Sequence, residues 1–256
     1  GPESPTCWLS RSLSPDSPVI FINTDLISPS LESQSGPRIT NALEARLVTH
    51  LTLSLLSLGI PATEIGIIAF YRSQLALLRS SLSSAYTQTQ SSDAPGASCA
   101  AVELHTADKF QGRDKEVVIV SCVRSNDHGS VGDLLKDRRR VNVALTRARS
   151  KLIILGSEKT LSTNELLRDM VLLCREKGWV LDLAVDAVDG HAFDEGVSQT
   201  GKSASSPPVK KRKVLGEVAG NQGSPRKRVP GKVVMAGKRG VLEGRPVLMD
   251  VYNGAV

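Results

Sequence analysis

The chain has 256 residues, 40% of them hydrophobic, and sets 32 Lys/Arg against 26 Asp/Glu for a formal net charge of +6. That charge is unevenly divided: residues 201–256 hold 12 basic against 3 acidic side chains, net +9, which leaves 20 against 23, net −3, in residues 1–200. A uniformly basic fold that coats nucleic acid is thereby excluded, and any contact of the folded part with phosphates must come from a few well-placed groups.

The four cysteines form no CxxC pair and the four histidines show no metal-ligand spacing, so no metal site is expected. No run of 18 apolar residues and no basic-then-apolar leader is present, which predicts a soluble, intracellular chain with no membrane partner. Apolar runs stop near residue 184, where Gly, Ser, Pro and Lys/Arg take over. The expected organisation is an irregular lead-in over 1–18, one domain over 19–183 and a disordered basic tail over 184–256.

Within the domain, Val19–Ile22 is a short β-branched apolar run that predicts a buried strand. Residues 38–58 carry Leu43, Leu47, Val48, Leu51, Leu55 and Leu58 at helical spacing and stop at Gly59 with Pro61 behind it, a helix with a marked end. Strand 65–70, helix 74–82 and an exposed Ser/Thr/Gln-rich loop over 83–98 follow. Further strands are expected at 102–104, 117–122 and 151–155, with helices at 138–149 and 162–177. Uniformly apolar strands alternating with amphipathic helices predict an α/β fold, a doubly wound and mainly parallel sheet. Ligands of such sheets bind at the carboxyl ends of the strands, where Tyr71-Arg72, His105 to Asp114 and Arg124-Ser125-Asn126 emerge.

Gly196-Val-Ser-Gln-Thr-Gly-Lys-Ser203 matches the phosphate-loop pattern GxxxxGK[ST] letter for letter. Such a loop works because a buried strand delivers it and a helix N-terminus leaves it, so that backbone amides converge on the phosphates. Here neither is expected on either side, and the match is rejected. The stronger signals are Asp108-Lys-Phe-Gln-Gly-Arg-Asp114 and Val141-Asn-Val-Ala-Leu-Thr-Arg-Ala-Arg149. Arg147 and its basic neighbours form either a solvated helical face or an arginine whose fork meets a phosphate, in the second case converging with Arg72 on one γ-phosphate. Thr106 to Asp114 forms either a helical turn capped by Thr106 or a glycine turn that allows close backbone approach, with a carboxylate beyond it that takes a ribose hydroxyl or holds a neighbouring arginine.

Residues 103–126 resemble motif V of the superfamily-one helicases, residues 139–149 resemble motif VI, and residues 67–74 resemble motif IV. Over roughly residues 19–183 the chain is similar to the second, RecA-like motor domain of that superfamily, nearest the eukaryotic helicase-nucleases of Okazaki-fragment processing. The resemblance implies an ATP hydrolase acting in DNA replication and repair, with Arg147 and Arg72 on the γ-phosphate. It gives Gln111, Gly112 and Asp114 to nucleotide coupling, and Thr106 and Arg124 to single-stranded DNA. Many relatives carry Glu at the position of Asp114. ATP with Mg2+ is expected mainly on a first motor domain whose motifs are not in this sequence, so this chain alone is expected to be inactive. An iron-sulfur cluster is expected only in a nuclease part. The same motifs fit an RNA helicase of the superfamily or a catalytically inactive binding module. The basic cluster Lys210–Lys213, flanked by Pro208, predicts an import-receptor partner and a nuclear location.

Overall fold

Five apolar runs of the sequence become neighbouring strands of one sheet. The computed structural model describes residues 7–27, 31–89, 99–185 and 187. In chain order the elements are α1 (Cys7–Leu13), β1 (Val19–Asn23), β2 (Ser33–Ser35), β3 (Arg38–Thr40), α2 (Ala42–Ser57), β4 (Ile65–Ala69), α3 (Arg72–Thr89), β5 (Glu103–His105) and α4 (Ala107–Phe110). They continue with β6 (Lys115–Ser121), α5 (Gly132–Lys136), α6 (Arg138–Thr146), β7 (Ala148–Gly156), α7 (Glu158–Leu161), α8 (Glu165–Glu176) and β8 (Val180–Asp182).

The six-stranded sheet has the order β5-β4-β6-β7-β1-β8. Every pairing in it is parallel, with Ile67 opposite Leu104 and Ile119, and Ile154 opposite Phe21 and Val120. Because strand side chains alternate, Ile65, Ile67, Val117, Ile119, Ile153 and Leu155 pack on one face with α1, α2 and α3. Ile68, Val118, Val120, Leu152 and Ile154 pack on the other, with α4, α5, α6 and α8. This is the doubly wound α/β arrangement expected of the sequence, with both faces covered.

The chain runs outward through β4 and β5, then returns through β6 and β7, so the direction of winding reverses between β4 and β6. That reversal opens a crevice at the carboxyl ends of those strands. The predicted end of α2 is a paired cap. Gly59 at φ +85° donates to Leu56 O, and Ile60 donates to Leu55 O at 3.1 Å.

Several elements differ from expectation. Residues 7–13 are helical rather than irregular, because Trp8 is buried and its indole Nε1 donates to Ala187 O at 3.0 Å. Residues 38–40 are strand, and the helix starts only at Ala42, where Asn41 Oδ1 accepts the amide of Glu44 at 3.0 Å. α3 runs on to Thr89, past the expected end at Leu82: residues 83–89 hold no Gly or Pro to stop the helix, and Thr87 Oγ1 donates back to Ser83 O at 2.9 Å. The helix expected over 138–149 ends at Thr146: Arg147 O accepts Lys115 N at 3.0 Å and the chain enters β7, placing Arg149 in a strand. The β2–β3 hairpin, β8 and the break between α7 and α8 were not anticipated. The 196–203 string, the Lys210–Lys213 cluster and nearly all of the expected tail lie outside the described residues.

Candidate functional site

Two sets of motif residues stand on opposite edges of the sheet. Arg72 follows β4, Thr106 follows β5 and Arg124 follows β6, all at the carboxyl edge. Gln111, Gly112 and Asp114 precede β6 and Arg147 precedes β7, at the amino edge. The seven residues of β6 alone span roughly 20 Å. The convergence of Arg72 with Arg147 on one γ-phosphate is therefore corrected. With the length of the strands between them, these two residues do not meet.

At the carboxyl edge a groove of about 960 Å³ is lined by Arg38, Thr40, Phe70, Arg72, Thr106 and Arg140, among others. The hairpin contributes Arg38, and Ser73 fixes its place: Ser73 Oγ donates to Ile39 O at 2.6 Å and accepts Ile39 N at 3.1 Å. Arg38 and Arg72 are exposed, and neither makes an ion pair among the described residues. Thr106 occupies the N-cap position of α4, yet its hydroxyl makes no capping bond. The capped-turn alternative thus holds for the backbone, whose Thr106 O accepts Phe110 N at 3.1 Å, but not for the side chain.

Arg124 does not face this groove freely. Its side chain is 8% exposed, its Nε donates to Glu32 Oε2 at 2.9 Å, and its Nη1 donates to Tyr71 Oη at 3.3 Å. Glu32 also accepts Ser125 N at 2.9 Å, so this arginine ties the exit of β6 to the chain before the hairpin. A contact with an external strand is not what its buried charge is arranged for.

The crevice floor is a buried polar network. Gln74 Oε1 accepts Asn41 N at 2.8 Å, and Gln74 Nε2 donates to Asn41 O at 3.0 Å and to Ser121 Oγ at 3.3 Å. Ser121 Oγ in turn donates to Glu44 Oε2 at 2.6 Å. Glu44 accepts Val123 N at 2.9 Å, and Val123 sits at φ +70°, a left-handed conformation that is strained for a β-branched residue. Burial pushes the Glu44 carboxyl up to about 7, against the opposing pull of its bonds from Ser121 and Val123.

At the amino edge, Phe110 O accepts Arg113 N at 3.1 Å across a tight turn with Gly112 at φ +78°. Gln111 at φ −57°, ψ 130° before such a glycine makes a type II turn, which requires the positive φ. Arg113 is drawn to Glu103 of β5 at 3.0 Å, and Lys115 joins the same carboxylate at 2.8 Å. Lys115 foremost, with Arg113, holds Glu103 below the usual carboxylate range. Gln111, Gly112 and Asp114 are left facing solvent.

Arg147 lies beside this turn. Its Nη1 donates to Asp114 Oδ1 at 2.9 Å and its Nη2 to Thr146 Oγ1 at 3.0 Å, while Thr146 Oγ1 donates to Asn142 O at 2.8 Å. Its Nε is buried with no hydrogen-bond partner among the described residues. Arg149 lies apart, 3.7 Å from Glu64 and 3.8 Å from Glu116. The solvated-face reading thus suits Arg139, which is exposed, but not the half-buried Arg147.

A nucleotide phosphate fits these residues. A buried N–H lacks an acceptor, and no atom lies within 4 Å of where a Cβ would stand on Gly112, so the backbone is open to close approach. Among the described residues no group of three or more His, Cys, Asp or Glu is placed to hold a metal ion, and no helix is long and apolar enough to cross a membrane. Sequence reasoning missed Arg38, the Gln74–Glu44 network and the hold of Thr146 on Arg147. Gly36 between two short polar strands was the one available signal for the hairpin that carries Arg38.

A family profile described as an AAA domain matches residues 2–159. The chain is similar to the DNA replication ATP-dependent helicase/nuclease DNA2 of Xenopus laevis, 45% identical over 176 residues, which cover 69% of this chain and 16% of that protein. The protein of the same name in Homo sapiens is 40% identical over 176 residues, 69% of this chain and 15% of the relative. That of Saccharomyces cerevisiae is 36% identical over 209 residues, 79% and 13% respectively. The chain thus spans about one sixth or less of the length of these relatives.

Proposed function

The chain belongs to the AAA domain family, and on that premise we propose that it is the second motor domain of an ATP-dependent DNA helicase. The observation that carries this reading is the half-buried Arg147, held at the amino edge beside an open glycine turn with a donor to spare. Arg147 meets the γ-phosphate of ATP held by a first motor domain and stabilises charge as the phosphoryl group is transferred. Gln111, Gly112 and Asp114 form the turn that faces the same nucleotide, and Mg2+ enters with the ATP.

Single-stranded DNA lies along the carboxyl-edge groove, with Arg72, Arg38 and Thr106 on its phosphates. Arg72 therefore belongs with the nucleic acid and not with the nucleotide. α6 starts beside the groove at Arg138 and ends next to Arg147, roughly 14 Å further on, which gives a rigid path between the two ligands. The names of the relatives speak of DNA replication, which supports DNA over RNA as the strand; a nuclear location and an import receptor on Lys210–Lys213 belong to the same proposal.

The test is ATP turnover by the complete polypeptide. Arg147→Ala is expected to lower kcat by a factor on the order of 10³. Turnover at the parental rate would show that Arg147 does not reach the phosphate.

A further inference from the structure

Asp114 and Arg147 are brought together by the sheet itself. Lys115 N donates to Arg147 O at 3.0 Å, and Lys115 is the register partner of Ala148, so the residues just before these two positions start side by side on neighbouring strands. Their side chains then meet at 2.9 Å. The type II turn at Gly112 fixes the approach of Asp114, and the diversion of Arg113 and Lys115 to Glu103 leaves Asp114 as the carboxylate on this guanidinium. On the other side Thr146 Oγ1 takes Nη2. A guanidinium has five N–H groups, so two held donors leave two on the Nη atoms for a ligand and one on Nε, which is buried and without an acceptor.

We propose that Asp114 is a positioning residue for Arg147 and not a ligand of the nucleotide: with Thr146 it clamps the guanidinium so that its remaining donors face the incoming phosphate. This rests on the reading of Arg147 as the phosphate-contacting arginine. It assigns a distinct use to the short carboxylate at this position. The aspartate reaches its arginine neighbour at 2.9 Å.

A clamp and a nucleotide ligand differ in what their loss does. Removing a clamp leaves ground-state ATP binding intact but misplaces the transition-state contact, and misplacement by about 1 Å can cost on the order of 10²-fold in rate. Removing a ligand to the ribose or a phosphate weakens ATP binding itself.

The experiment compares Asp114→Ala, Asp114→Asn, Arg147→Ala and the double variant Asp114→Ala/Arg147→Ala in the complete enzyme. Steady-state ATPase is measured with ATP and with 2′-deoxy-ATP. The expected result is that Asp114→Ala lowers kcat roughly 10- to 100-fold. The KM for ATP and the preference for ATP over its 2′-deoxy form stay unchanged. The double variant is expected to be no slower than Arg147→Ala alone. A raised KM, a lost ribose preference or a further loss in the double variant would each overturn the clamp. Asp114 is half exposed, and Asp114→Asn keeps its shape, so a folding failure of the alanine variant leaves the asparagine variant to decide. An inert Arg147→Ala defeats the function proposed above, whereas a damaged Arg147→Ala beside an inert Asp114→Ala defeats only the clamp.

Discussion

Arg140 on α6 reaches Asp108 on α4, its Nε 2.9 Å from Oδ1 and 3.2 Å from Oδ2. The pair joins the two segments that lead from the carboxyl-edge groove to the amino edge. Both residues are partly exposed, so the pair adds less than about 1 kcal/mol to stability. On the proposed function its larger use is mechanical. Arg140→Ala is expected to reduce the stimulation of ATP turnover by single-stranded DNA, read as the ratio of kcat with and without oligonucleotide. An unchanged ratio would show that the two edges communicate by another route.

Gly112 has no steric neighbour, so the cost of a side chain there is conformational alone. At φ +78° an alanine is strained by about 1–2 kcal/mol. Gly112→Ala should lower the melting temperature by a few degrees, and a chain melting at the parental temperature would mean that the turn reshapes without strain.

Gly66 is the opposite case. A Cβ on this residue of β4 would stand 2.4 Å from Phe110 Cζ and 3.0 Å from Lys115 Cγ. Phe110, fully buried at the end of α4, sits directly on the glycine and so sets the height of the Gln111–Asp114 turn. Gly66→Ala is expected to destabilise by about 1–3 kcal/mol in chemical denaturation. An unaltered midpoint would show that Phe110 has room to move.

Glu44 sets a pH dependence. Its carboxyl titrates near 7 in the fold against an ordinary value of 4.5, so the folded chain binds the extra proton between these values. The stabilisation from that proton is complete below the ordinary value and is lost as pH rises through about 7. Its full size is at most about 3 kcal/mol. Melting temperature should therefore fall between pH 5 and pH 8 by more in the parent than in Glu44→Gln. Parallel curves for the two proteins would place the titration elsewhere.

The sheet was legible because its strands are buried on both faces, and so β1, β4, β6 and the core of β7 read as plain apolar runs. The end of α2 was legible because Gly59 and Pro61 punctuate it. Polar segments that owe their structure to distant partners were not. Cys7–Leu13 is a helix because Trp8 finds Ala187, and Arg38–Thr40 is a strand because Ser73 and a hairpin partner take its backbone. Glu44 gave no sign of its burial, since an acid in a first helical turn is ordinarily a solvated cap. The opposite placement of Arg72 and Arg147 was in principle readable. One follows a strand and the other precedes one, and parallel order then sends them to opposite edges.

That separation is tested most directly by the affinity of the complete enzyme for a fluorescent single-stranded oligonucleotide, without nucleotide, over a series of salt concentrations. Arg72→Ala is expected to weaken binding and to reduce the slope of log K against log salt by about 1, the signature of one lost phosphate contact. Arg147→Ala is expected to leave both affinity and slope at the parental values. The reverse pattern, with DNA binding sensitive to Arg147 and indifferent to Arg72, would contradict the assignment of the carboxyl edge to DNA and the amino edge to ATP.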